Sequence, residues 1–122
     1  MPRSQQNNHN GAIGEKIAAE KLLKSGYRIL TCNYHSRFGE IDIIACDERY
    51  IVFVEVKTRE QTSHYHPFEA ITKAKQKKIG LTAQDYLQRK PSSLQPRFDA
   101  IAVIMNKDKI VEVSHLQNAF ML

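Results

Sequence analysis

Cysteine is scarce in this 122-residue chain, with only Cys32 and Cys46 present. Two cysteines make no disulfide framework. Without a tight Cys/His cluster, a zinc site is excluded as well. Each cysteine stands in an apolar run, where a free thiol is expected to act as a small hydrophobe. Neither has the His and acid company that covalent catalysis requires. No apolar run is long enough to span a bilayer. The opening MPRSQQNNHN has no apolar segment, so residues 1–10 read as a flexible polar tail and not as a secretory signal. These absences predict a cytoplasmic protein with no membrane partner. A Gly-rich phosphate-cradling motif is missing too.

What is present fits one globular domain over residues 11–122. Hydrophobic residues make up 42% and charged residues 25%. The net charge is +5, which favours polyanionic partners, nucleic acid first among them. Ile13, Ile17, Ala18, Leu22 and Leu23 predict a first helix from Gly11 to Ser25, with Gly26 as its stop. Tyr27 to Tyr34 reads as a strand, and Gly39 to Arg59 as a hairpin. A second helix is expected from Phe68 to Arg89 behind Pro67, with Ile71, Ala74, Ile79, Ala83, Tyr86 and Leu87 as its apolar stripe. PSSLQP is a loop, Phe98 to Met105 a strand, Asn106-Lys107-Asp108 a turn, and Lys109 to Val113 a short last strand. The order α-β-β-β-α-β-β predicts the α/β class, a central mixed sheet flanked by helices.

The hairpin holds charges where apolar residues would stabilise it more. Side chains alternate along a strand, so Glu40 and Asp42 share a face, as do Glu55 and Lys57. A turn centred between Glu48 and Arg49 pairs Asp42 with Glu55 and Glu40 with Lys57. The same face continues as Ile44, Cys46, Ile51 and Phe53, while Ile41, Ile43, Val52, Val54 and Val56 form the other. Opposed residues lie about 5 Å apart at Cα, close enough for two carboxylates to hold one cation. Hard oxygen ligands select Mg²⁺ or Mn²⁺. The other reading of the same four residues is a structural ion-pair cluster.

Further candidates divide in the same way. Glu15 is either a solvent-facing acid of the first helix or a third carboxylate approaching the cleft, with Gly11 and Gly14 permitting close approach. The run Lys73 to Lys78 is a solvated face or a phosphate-binding one, and Lys75 falls inside the apolar stripe. His64 and His66 flank Tyr65 in a loop that lacks a third metal ligand nearby and could touch a substrate instead. Asp99 is expected to pair with Arg97 or to cap the preceding loop.

Asp42 followed by Glu55-Val56-Lys57, preceded by a helical Glu15, resembles the PD-(D/E)xK nuclease superfamily, although Ile41 stands where that signature has proline. More closely, the pattern around Gly11 to Ala18, with GEIDII, VFVEVKTR, KQKKI and RFDAIAVI, resembles the YraN-like family of small bacterial proteins, itself similar to archaeal Holliday junction resolvases. The resemblance covers Gly11 to about Val113. It implies a restriction-endonuclease-like fold and a Mg²⁺- or Mn²⁺-dependent endonuclease acting on DNA, with branched or junction DNA as the substrate. Asp42, Glu55 and the backbone carbonyl of Val56 would hold the metal, Lys57 would serve the reacting phosphate or water, and Glu15 would assist. Glu40 would steady Lys57. Lys73, Lys75, Lys77, Lys78 and Arg59 would grip the DNA backbone. Related resolvases act as symmetric dimers, so a homodimer is expected. The competing readings are a non-catalytic nucleic-acid-binding module and a structural protein-interaction domain.

Overall fold

The computed structural model describes residues 2–62 and 71–121. Its elements run α1 (Pro2–Lys24), β1 (Arg28–Ser36), β2 (Gly39–Cys46), β3 (Tyr50–Glu60), α2 (Lys73–Arg89), β4 (Gln95–Asn106) and β5 (Lys109–Phe120). The strands form one sheet in the order β1-β2-β3-β4-β5. β3 and β4 run parallel and the other neighbours antiparallel. A parallel pair needs a crossover, and α2 lies in the connection between its two strands. This is the mixed sheet and element order of a restriction-endonuclease-like fold.

The helices cover opposite faces of the sheet. Ala18 and Leu22 of α1 pack on Ile43, Ala45, Val52, Val54, Ile101 and Val103. Ile79, Ala83 and Tyr86 of α2 pack on Ile44, Ile51, Phe53 and Phe120. β2 and β3 are therefore buried on both sides, as their near-continuous apolar runs predict. Leu23 and Ala74, counted in the predicted helical stripes, are exposed.

Several boundaries differ from expectation, each for a local reason. α1 starts at Pro2 rather than Gly11, because a polar segment carries no apolar stripe by which periodicity could mark it. Its end is as expected: Gly26 adopts φ 95°, Gly26 N–H donates to the Leu23 carbonyl and Tyr27 N–H to that of Leu22. That left-handed closure suits glycine. α2 starts at Lys73, where the Thr72 hydroxyl accepts a hydrogen bond from Lys75 N–H at 3.1 Å. The predicted start at Phe68, with His64, Tyr65, His66 and Pro67, lies outside the described residues. Gly80 does not interrupt the helix. β4 takes in Gln95 and Pro96 from the predicted loop, and β5 continues to Phe120. Cys46 is buried as expected, but Cys32 is exposed.

At Gly14, α1 packs directly against β3. A Cβ built there would overlap the Thr58 Oγ1 of β3. Gly14→Ala is expected to destabilise the fold by about 1–2 kcal/mol, the overlap outweighing alanine's better helix propensity. Chemical denaturation would measure it, and adding Thr58→Ala should restore most of the loss. A stable Gly14→Ala protein would show that the helix does not need this approach.

Candidate metal and nucleic-acid site

The β2–β3 turn sets the site's register. Asp47 Oδ1 accepts hydrogen bonds from Arg49 N–H at 2.8 Å and Tyr50 N–H at 2.7 Å, closing a tight turn. The strands then pair Cys46 with Ile51, Ala45 with Val52, Ile44 with Phe53 and Ile43 with Val54. This is the register expected from a turn centred between Glu48 and Arg49, and it brings Asp42 towards Glu55.

The strict alternation assumed beyond that point fails. Ile41 packs with Ile44 and Phe53, whereas Ile43 packs with Val52 and Val54 on the other face. Residues two apart would share a face in a regular strand, so β2 turns over at Asp42. Beside it in β1, between the pairs Cys32↔Ile43 and Tyr34↔Ile41, lies Asn33 at φ 54°. Asparagine tolerates this left-handed conformation better than most residues. Glu40 is displaced as a result. It pairs with His35 (Nδ1 to Oε2, 3.3 Å) on an exposed surface and has no ion pair with Lys57, correcting that expectation.

Asp42 and Glu55 do meet. Glu55 is buried, and Asp42 Oδ2 accepts a hydrogen bond from Val56 N–H at 2.7 Å. Burial first, then the charge of Glu55, push the Asp42 carboxyl up to about 7 against the pull of that N–H. Glu15 adds to the same shift, so α1 does bring a third acid within electrostatic reach. Among the described residues, however, no three His, Cys, Asp or Glu side chains group closely enough to cage an ion. The carboxylate donors facing one another are these two.

Two lysines serve Glu55. Lys75 Nζ lies 3.1 Å from its Oε1 and Lys57 Nζ 3.8 Å from the same atom. Burial lowers the Lys57 ammonium below its ordinary range, an effect that Glu55 opposes and Lys75 reinforces. The Lys75 ammonium is raised: burial works against it, but the charge and hydrogen bond of Glu55 prevail. On β4, Ala100 stands beside Glu55 and Ala102 beside Lys57, two small side chains next to the acid and the base. Lys73, Lys77 and Lys78 are exposed on α2, whose first turn has no acid. Arg59 is partly buried, with Nη1 donating to the Thr58 carbonyl at 3.0 Å.

Sequence reasoning missed Lys75 as a direct partner of Glu55, although its place inside the apolar stripe was the signal. It also missed most of a second polar cluster, facing the α1 layer. Asp99 pairs with Arg97 as expected, through two bonds of 2.9 and 2.8 Å. It also contacts His115 Nε2 at 2.7 Å and accepts from Asn118 N–H at 3.1 Å. Arg97 donates to the Tyr27 hydroxyl at 2.5 Å and lies over the Tyr50 ring. Burial alone would raise the Asp99 carboxyl, but His115, Arg97 and the Asn118 N–H hold it below the usual carboxylate range. Asp99 is thus held by Arg97, His115 and the Asn118 N–H, and Arg97 by Tyr27, which marks the cluster as a structural clamp between β4, β5 and the α1–β1 connection.

Among the described residues no helix is long and apolar enough to cross a membrane. The sequence matches the Uncharacterised protein family UPF0102 over residues 14–103. A UPF0102 protein of Caldanaerobacter subterraneus is 47% identical over 113 residues, covering 90% of this chain and 93% of that protein. One from Chlorobium phaeobacteroides is 46% identical over 118 residues, covering 91% and 93%. A third, from Psychromonas ingrahamii, is 40% identical over 121 residues, covering 98% and 97%. β1, β2, β3, α2 and the two-carboxylate cleft lie within the matched span, and the chain belongs to the uncharacterised protein family UPF0102.

Proposed function

We propose that the cleft is the centre of a metal-dependent endonuclease that hydrolyses phosphodiester bonds in DNA, with branched or junction DNA as the substrate suggested by resemblance. The observation that carries this reading is the buried meeting of Asp42 and Glu55 with an amine alongside. Two facing acids in a largely apolar hairpin destabilise the fold unless a cation or a proton compensates. Their hard oxygen donors fit Mg²⁺ or Mn²⁺. Asp42, Glu55 and the Val56 carbonyl would hold the ion, which when bound supplies Lewis acidity towards a phosphate oxygen and towards water.

The remaining work falls to this chain's own groups. Lys57 is confined to the cleft, its side chain 12% exposed, so its compact charge is preorganised for the anion that develops on phosphorus. The charge of Glu15 raises the Asp42 carboxyl a little further. Lys73, Lys77, Lys78 and Arg59 would neutralise backbone phosphates without reading sequence. A helix start that carries lysines and no acid favours an anion there.

Purified protein incubated with branched, flapped and linear DNA plus Mg²⁺ or Mn²⁺ tests the proposal. Cleavage is expected, and Glu55→Ala and Lys57→Ala should each lower its rate by at least about 100-fold while the proteins remain folded by circular dichroism. Cleavage that survives both substitutions would place the chemistry elsewhere. DNA binding with no cleavage of any substrate would leave a nucleic-acid-binding module. Neither DNA binding nor any effect of metal on melting would leave a structural interaction domain.

A further inference from the structure

Lys75 differs from the other lysines of α2. Lys73, Lys77 and Lys78 are exposed, whereas Lys75 turns inwards and brings its Nζ to 3.1 Å from Glu55 Oε1. Lys57 lies farther from the same oxygen, at 3.8 Å. The two amines are held differently. The Lys57 side chain is 12% exposed and enclosed by the cleft, while that of Lys75 is 43% exposed and reaches in from the rim. Two ammonium groups converging on one oxygen repel each other. A cation taking up Glu55 adds a third positive charge at that point, and the half-exposed Lys75 is the group with room to withdraw. Its stem can then lie along the rim with the charge in solvent.

We infer that Lys75 is a resident counter-ion of Glu55 that competes with a divalent cation for this carboxylate and thereby lowers the cation affinity of the cleft. The inference rests on the metal-site reading above. It adds that a side chain which binds no metal helps to set how tightly the metal is held.

Mn²⁺ titration by calorimetry, without DNA and at fixed pH and ionic strength, tests it on the full chain. Lys75→Met is expected to bind Mn²⁺ about five- to tenfold tighter than the wild type. Lys75→Arg keeps the charge and should bind like the wild type. Lys73→Met removes an exposed charge on the same helix and controls for net charge, which salt screens. Equal or weaker binding in Lys75→Met, or an equal gain in Lys73→Met, overturns the inference while leaving the metal site standing. No Mn²⁺ binding by the folded wild type overturns both. Should Lys75→Met fail to fold, Lys75→Gln carries the same expectation, and its binding decides.

Discussion

Arg97→Met is expected to destabilise the protein by about 3–5 kcal/mol, the usual range when one partner of a buried ion pair is removed. Asp99 is fully buried and Arg97 nearly so. Without the guanidinium, the carboxylate keeps His115 and the Asn118 N–H but loses two charge-assisted bonds. The Tyr27 hydroxyl loses its strongest partner at the same time. Methionine replaces most of the packing of the arginine stem over Tyr50, so the loss is mainly electrostatic. Urea denaturation at neutral pH would measure it, and a loss below about 1 kcal/mol would refute the clamp. Because the two residues share one network, Arg97→Met with Asp99→Leu should cost less than the sum of the single changes. The pH dependence has a fixed sign. A depressed carboxyl contributes stability above its unfolded value near 4 and loses it as pH falls through the folded value. The wild type should therefore weaken in acid, and Asp99→Asn should show a shallower acid limb.

How far the sequence reveals this site depends on how local each contact is. The meeting of Asp42 and Glu55 was legible because the polar stretch Asp47 to Arg49 places an even-length turn between Glu48 and Arg49, and that turn sets the register from Cys46↔Ile51 to Ile43↔Val54. The pairing of Glu40 with Lys57 was not, because it assumed regular strands through Asn33 and Asp42. Asn33, a turn-favouring residue within an apolar run, was the one available warning. The Arg97–Asp99 pair could be read from its spacing of two along a strand. Its links to Tyr27 and His115 join residues 70 and 16 positions away, which no periodicity encodes. β5 was expected to be short because its later residues alternate polar and apolar weakly. It is an edge strand paired only to β4, so much of it faces solvent and needs no apolar pattern. The element order rests on strong periodic signals, whereas the partners of individual charges rest on tertiary placement.

Asp42→Asn is expected to stabilise the metal-free protein at pH 8 by about 2–4 kcal/mol. Burial first and then the charge of Glu55 raise the folded Asp42 carboxyl to about 7 against 3.8 for an ordinary one, and at about 1.4 kcal/mol per tenfold change in proton affinity this sets an upper bound of about 4 kcal/mol. In this window the unfolded chain has already released the proton that the folded chain retains. Stability therefore falls as pH rises from about 4 to 7, and the full penalty applies above that. Asparagine removes the charge and keeps an oxygen to accept the Val56 N–H. In EDTA the two proteins should be about equally stable near pH 4 and diverge as pH rises, with Asp42→Asn the more stable. Saturating Mn²⁺ should narrow or reverse the gap by stabilising the wild type alone. If Asp42→Asn is no more stable than the wild type at pH 8 in EDTA, the buried Asp42 charge costs the fold nothing. The cleft then holds no uncompensated charge for a cation to relieve. If the stabilisation appears but Mn²⁺ leaves the gap unchanged, the cost of the buried charge is real and serves something other than metal binding.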